Sequence, residues 1–159
     1  MKIRVGFGYD VHQLSENEEL ILCGLKIPHT KGTVAHSDGD VAIHAICDAL
    51  LGAANLRDIG FHFPDTSSDF KGIDSKILLQ KTVALISDKG YSIGNIDITI
   101  CLQQPKLKSF IPQMQEILAL VMGIEIDDIS IKATTTEKLG FVGREDGIST
   151  YAVVLIEKQ

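Results

Sequence analysis

Tryptophan is absent from this sequence, and six Phe and three Tyr are its only large aromatics. Hydrophobic residues still make up 45% of the 159 residues, enough to bury a full, mostly aliphatic core in one domain spanning 1–159. Cysteine is scarce: Cys23, Cys47 and Cys101 are an odd number with no C-x-x-C spacing. That excludes a disulfide framework and a thiolate zinc site. It leaves three reduced, mostly buried small hydrophobes of the kind a cytoplasmic protein carries. No apolar run approaches the roughly 18 residues of a membrane span, and "MKIRVGFGYD" enters strand-like alternation with no leader pattern. A soluble protein with no membrane partner is expected. Basic residues are also in short supply, 15 Lys and Arg against 21 Asp and Glu, for a net charge of -6 and a pI near 5.3. That argues against a nucleic-acid binder, which carries a basic face. A small phosphorylated substrate stays possible, because a few cations handle local charge. There are no repeats, linkers or low-complexity tracts.

Ile3, Val5, Phe7, Tyr9 and Val11 alternate with Arg4, Gly6, Gly8, Asp10 and His12. This is the period of a half-buried strand, and it puts Asp10 and His12 on one side, away from the apolar face. "SENEE" reads as a turn, and "LILCGLKIP" as a second strand forming a hairpin with the first. "DVAIHAICDALLGAANL" reads as a helix whose start Ser37 and Asp40 would close as a capping box. "RDIGFHFPDTSSDFKGID" has no clear period, and loops of that length are usually functional or disordered. A second helix follows to Gly90, then a strand with Ile96, Ile98, Ile100 and Leu102 on one face, ending at Pro105. A third helix covers roughly 110–122, with Pro112 in its first turn. "DISIKAT" and "ISTYAVVLIEK" are strands. The order predicts an α+β domain, a mixed β-sheet with helices packed on one face. The other face needs cover, and a partner subunit is one way to supply it.

Five groups of residues could carry chemistry. Asp10, His12 and His44 are three ligands of a type zinc accepts, with a fourth position left for water or substrate. Asp48, one helical turn from His44, could orient its imidazole. A surface or core role for His44 is the plainer alternative. "AHSDGD" (35–40) gathers polar groups at a helix start, where a phosphate oxygen could bind, although ordinary capping explains all of it but His36. "TTTEK" (134–138) places three hydroxyls beside Glu137, an oxygen ligand for Mg²⁺ or Mn²⁺, or is simply a Thr-rich strand end. "QQPKLK" (103–108) could read a base edge and meet a phosphate through Lys106, or be only a loop. In "GFVGREDG" (140–147), Arg144 could hold an anion or pair with Glu145 or Asp146. Two metal sites, Thr hydroxyls and a few basic groups are together the parts of phosphoryl transfer.

"GYDVHQL", "AHSDGDVAIHAICDALLGAANLRDIG", "FPDTSSDFKGIDS", "PK" at 105–106 and "KATTTEKLGFVGR" closely resemble the 2-C-methyl-D-erythritol 2,4-cyclodiphosphate synthases of the non-mevalonate isoprenoid pathway. The resemblance runs in order over nearly the whole chain. Asp146 is one departure, standing where the family pattern has Glu. The resemblance implies Zn²⁺ on Asp10, His12 and His44, and a second divalent cation, Mg²⁺ or Mn²⁺, on Glu137. It implies that the substrate's 2-phosphate attacks the β-phosphate of its cytidine diphosphate, closing a ring and expelling CMP. His36 and Thr135 would stabilise the transition state. Asp10, His12, Ser37 and Glu137 would also contact substrate, and Asp58 and Gly60 would take the erythritol hydroxyls. The loop Phe63, Pro64, Asp65, Thr66 and Ser67 would close near the 2-phosphate. Leu102, Gln103, Gln104, Pro105, Lys106, Leu107 and Lys108, with Thr134, Thr135 and Thr136, would line the cytidine pocket. Phe141 and Arg144 would line the substrate or a central cavity that could hold an isoprenoid diphosphate. The implied assembly is a homotrimer with sites between subunits, in a bacterial cytoplasm. A metal-dependent phosphodiester or pyrophosphate hydrolase could use the same parts. So could a non-catalytic trimeric nucleotide-binding module, and a purely structural metal trimer is a third alternative.

Overall fold

In the computed structural model, which describes residues 1–159, the opening alternation forms β1 (Ile3–Glu16). Asp10 and His12 share a face, as the period requires. The burial of the two faces is the reverse of what an apolar stripe usually means. Gly6 and Gly8 are buried, whereas Val5 is 66% and Phe7 61% exposed. The reason lies in the partner helix. A Cβ on Gly6 would stand 1.9 Å from the Ala49 carbonyl oxygen, and one on Gly8 1.9 Å from that of Ala45. The bare strand face is therefore the one a helix can approach closely, and the apolar side chains are left on the outside.

β1 does not form a hairpin with the following segment. Leu20–Leu22 (β2) and Leu25–Ile27 (β3) make a separate two-stranded sheet. Their two-residue turn, Cys23 and Gly24, takes φ +52° and +77°, the positive pair that matches hairpin twist. The short β4 (Lys31–Thr33) pairs with the end of β1 instead.

That close-packed helix is α1 (Val41–Ala53), buried on nearly every side because it lies between the sheet and the next long helix. Its cap is Asp40, whose carboxylate accepts the N–H groups of Ile43, Cys23 and Gly24 at 3.1, 3.0 and 2.7 Å. The expected Ser37–Asp40 capping box does not form: one carboxylate closes the helix and also pins the β2–β3 turn. The irregular stretch that follows holds a single helical turn, α2 (Ile59–His62), and a 3₁₀ turn at Ser68–Phe70. α3 (Ser75–Asp88) is capped by Asp74. β5 (Tyr91–Cys101) leads to α4 (Ile111–Met122), which ends at Gly123 with φ +68°. β6 (Ile129–Thr134) returns parallel to β5. The one-turn α5 (Gly140–Gly143) precedes β7 (Gly147–Lys158).

The five-stranded sheet has the order β4-β1-β7-β5-β6, antiparallel except for β5–β6. The expected mixed sheet with helices on one face is thus present. One continuous core joins Ile96, Ile98 and Ile100 of β5 and Ile148, Ala152 and Val154 of β7 to the three long helices. The cysteines are free and buried. On the opposite face Val5, Phe7, Tyr9, Val11, Tyr151 and Val153 are all exposed, and the Tyr151 ring lies tilted against those of Phe7 and Tyr9. No helix is long and apolar enough to cross a membrane.

Candidate active site

The glycine-lined approach of α1 brings His44 to the two polar side chains of β1. His44 Nδ1 and His12 Nε2 each lie 3.1 Å from Asp10 Oδ2 and 3.2 Å from each other. Three lone-pair atoms this close repel one another unless a cation or proton lies between them. Ligand atoms held 2.0–2.1 Å from a tetrahedral centre are about 3.3 Å apart, so the triangle has the dimensions of three corners of such a site. The donor set of two imidazoles and a carboxylate suits a borderline divalent metal. Charge in the triangle reflects the same crowding. Burial pushes the Asp10 carboxyl up, but hydrogen bonds with His12 and His44 outweigh it and bring it down to about 2. Burial opposes charge on His44, yet Asp10 raises it overall.

The far side of the His44 ring is held by hydroxyls, not by Asp48 as its spacing suggested. His44 Nε2 lies 3.0 Å from Ser75 Oγ and 3.1 Å from Ser37 Oγ. Asp48 points elsewhere and accepts the Ile59 N–H at 2.7 Å, which ties α2 to α1. The "AHSDGD" start is likewise occupied by its own carboxylates, Asp40 as cap and Asp38 on Ser75. A phosphate has no free helix end to bind there, so this part of the motif follows the ordinary capping reading.

His12 and His44 open onto a cavity of about 430 Å³, which His36, Ser37, Gly60, Phe63 and Asp65 also line. His36 Nε2 donates to the Ser67 carbonyl at 3.0 Å, and the His36 carbonyl accepts the Gly72 N–H at 2.7 Å, so this imidazole is anchored to the loop that covers the cavity. Asp58 stands at the start of α2 with its side chain unused as a cap. Pro64 and Thr66 belong to the same loop but not to the wall. Part of the wall is apolar, with Ile59, Phe70, Ile73 and Leu78. Sequence reasoning missed these and Ser75. Only an apolar periodicity marks Leu78, and nothing in the chain spacing links position 75 to position 44.

A second polar group lies at the C-terminal ends of the parallel strands β5 and β6. Lys138 N–H meets the Gln103 side-chain oxygen at 3.3 Å, Glu137 N–H meets Thr135 Oγ1 at 3.3 Å, and Leu102 N–H meets the Thr134 carbonyl at 2.9 Å. The 102–108 and 134–138 segments are therefore neighbours, and Gln104–Pro105 is a cis peptide. Glu137 and Lys138 hold φ +53° and +64°. The two polar groups do not meet within one chain. Val11, Ser149, Cys101 and Thr134 lie in register across four strands, and three strand spacings are roughly 14 Å. Arg144 Nε donates to Asp146 Oδ2 at 3.0 Å, the surface pairing that was the plainer alternative. Phe141 lies against Gly147 at the end of the β1–β7 pair.

The mixed α+β sheet and its Asp-His-His triangle at a cavity mouth define a class, that of single-domain proteins with a candidate metal centre set between a strand and a helix. Residues 3–157 match the YgbB family, and the chain belongs to that family. It is 69% identical over 158 residues, 99% of each chain, to the 2-C-methyl-D-erythritol 2,4-cyclodiphosphate synthase of Bacteroides thetaiotaomicron. Among solved structures it resembles the bifunctional IspDF of Campylobacter jejuni, with TM-score 0.96 and 44% identity. That match covers 99% of this chain and 43% of the bifunctional one. IspF of Plasmodium falciparum, solved as a CDP complex, matches with TM-score 0.86 and 36% identity, covering 99% and 97%.

Proposed function

We propose that this chain converts 4-diphosphocytidyl-2-C-methyl-D-erythritol 2-phosphate to 2-C-methyl-D-erythritol 2,4-cyclodiphosphate and CMP, as a phosphorus–oxygen lyase of isoprenoid precursor synthesis. The observation that carries this reading is the Asp10–His12–His44 triangle at the mouth of the cavity, in a chain that aligns end to end with a named synthase. A 2-phosphate oxygen bonds to the β-phosphorus. The bond from that phosphorus to the oxygen bridging the α-phosphate breaks, and CMP leaves with the electron pair. The nucleophile is already an anion, so no general base or covalent enzyme intermediate is required.

Asp10, His12 and His44 are the residues that would hold Zn²⁺, which when bound supplies charge withdrawal at the β-phosphate. Glu137 offers a single carboxylate with no second cluster of ligating side chains around it. Glu137 would hold a Mg²⁺ or Mn²⁺ ion, which would supply countercharge for the diphosphate. His36 and Thr135 donate hydrogen bonds to phosphate oxygens as charge spreads over them. Asp58 and Gly60 take the erythritol hydroxyls, Ser37 also contacts the substrate, and the Phe63–Ser67 loop closes near the erythritol 2-phosphate. The cavity volume suits a ligand of that size, and enclosure holds the attacking phosphate in line. Leu102–Lys108 with Thr134, Thr135 and Thr136 hold the cytidine; the CDP complex of the Plasmodium relative supports a cytidine nucleotide as the ligand. The separation of the two residue groups in one chain supports a site formed between subunits, and we place that site in a homotrimer in the cytoplasm. Phe141 and Arg144 line its centre, where an isoprenoid diphosphate would find both an apolar wall and a cation.

Incubation with the cytidine-diphospho substrate, Zn²⁺ and Mg²⁺, followed by ³¹P NMR, tests the reaction. The expected result is CMP and a product with two mutually coupled phosphorus signals. Free phosphomonoester would instead identify a hydrolase, and bound nucleotide without turnover a binding module.

A further inference from the structure

The hydrogen bonds behind His44 have a fixed direction. The Asp38 carboxylate accepts the Ser75 N–H at 2.9 Å, the Asp40 N–H at 3.1 Å and the Ser75 hydroxyl at 2.5 Å. With two backbone donors already pointing at it, Asp38 acts as acceptor only, so the short contact uses the one proton Ser75 has. Ser75 Oγ then offers only lone pairs to His44 Nε2, 3.0 Å away. Ser37 Oγ, which accepts the Gly39 N–H at 3.2 Å, is the other neighbour of that nitrogen. Ser37 keeps its own hydroxyl proton, but Ser75 has only lone pairs to offer, and its contact with the ring is favourable when the imidazole carries its proton on Nε2. Its Nδ1 is then the lone-pair nitrogen, and Nδ1 is the atom that faces Asp10 and His12.

We propose that Asp38 and Ser75 form a positioning relay that fixes the ring orientation and the Nε2–H tautomer of His44, presenting Nδ1 to a divalent cation. The relay rests on the metal reading of the Asp10–His12–His44 triangle. It also accounts for the contact between two polar residues that the proposed substrate contacts do not use. Ser75 is fully buried at the first position of α3, where its hydroxyl is not the helix cap, since Asp74 has that role. Asp38 reaches it across 37 residues of chain. Outer hydrogen bonds of this kind typically change metal affinity by about 10–100-fold.

Co²⁺ titration of the metal-stripped protein, followed by visible absorption, gives a reading that does not depend on turnover. Ser75→Ala should weaken Co²⁺ binding on the order of 10–100-fold, with the metal-free variant still folded by circular dichroism although it melts at a lower temperature, because the Asp38 carboxylate loses a buried hydrogen bond. A second measurement needs no variant. In ¹⁵N NMR of the wild-type Zn²⁺ form, His44 should show a protonated, slowly exchanging Nε2. Equal Co²⁺ affinity in wild type and Ser75→Ala overturns the relay and leaves the metal site standing. An Nε2 without a proton in the Zn²⁺ form does the same. Failure of the wild-type protein to bind Co²⁺ at all overturns both.

Discussion

At the scale of single residues, His44 joins three environments: the ligand triangle on one side, two hydroxyls on the other, and the buried helix that carries it. His44→Ala removes a corner of the triangle without touching the main core. Purified His44→Ala is expected to lose most of the one bound Zn²⁺ per chain expected of wild type, as read by elemental analysis, with its circular dichroism retained. Unchanged zinc would take His44 out of the site. Asp48 gives a pH signature instead. Burial pushes its carboxyl above the ordinary 3.8, and the Ile59 N–H only partly offsets this. The folded state therefore holds the Asp48 proton more tightly than the unfolded state does. No penalty exists below pH 3.8, where both states are protonated, and one builds as pH rises through the raised value. Asp48→Asn keeps an acceptor for Ile59 and removes the charge. Its melting temperature should match wild type near pH 4 and rise above it towards pH 8. A difference independent of pH would contradict this.

At the scale of elements, the site depends on how closely α1 lies to β1. Gly6 and Gly8 set that distance, because a side chain at either would meet helix backbone, which cannot rotate away. Gly8→Ala is expected to lower stability by about 1–3 kcal/mol or more, since the helix must lift off the strand. His44 moves with the helix, while Asp10 and His12 stay with the strand. Zinc affinity should therefore fall together with stability in denaturant titrations. A Gly8→Ala protein within roughly 0.5 kcal/mol of wild type would show that the helix can sit higher without cost.

At the scale of the whole molecule, one sheet face carries Val5, Phe7, Tyr9, Val11, Tyr151 and Val153 in the open. An apolar patch rimmed by polar residues marks an association surface. The same sheet keeps the metal triangle and the Thr134–Glu137 group roughly 14 Å apart by strand spacing. Both observations support association between copies of this chain, and in the proposed trimer the metal half of one subunit would meet the nucleotide half of the next. Co-expression of His44→Ala with Thr135→Ala tests this. Each homotrimer should be nearly inactive. With random assembly at equal levels, roughly a quarter of interfaces pair two intact halves in a closed head-to-tail ring, so activity should return to about that fraction of wild type. Mixed trimers no more active than either parent would place each site within one chain.

The sequence by itself determined the element types, because hydrophobic period reports local conformation. The strand alternation at 3–11, the helix around His44, the β5–α4–β6 run and the mixed sheet could all be read from it. It also determined which residues could serve as ligands, since a His inside an apolar helix and a D-x-H on a strand stand out locally. What it could not determine were pairings and faces. Period 2 shows that Asp10 opposes Phe7, but not which side a helix covers; only the approach of Ala45 and Ala49 to two glycines decided that the apolar side stays outside. Nor could it show that "LILCGLKIP" folds on itself rather than on β1, because a two-residue turn at Cys23–Gly24 and a single strand look alike until Asp40 is seen holding that turn. Helical spacing pointed to Asp48 as the partner of His44. The tertiary structure supplied Ser75 instead, because hydrogen-bond geometry is set by where elements pack, not by their distance along the chain.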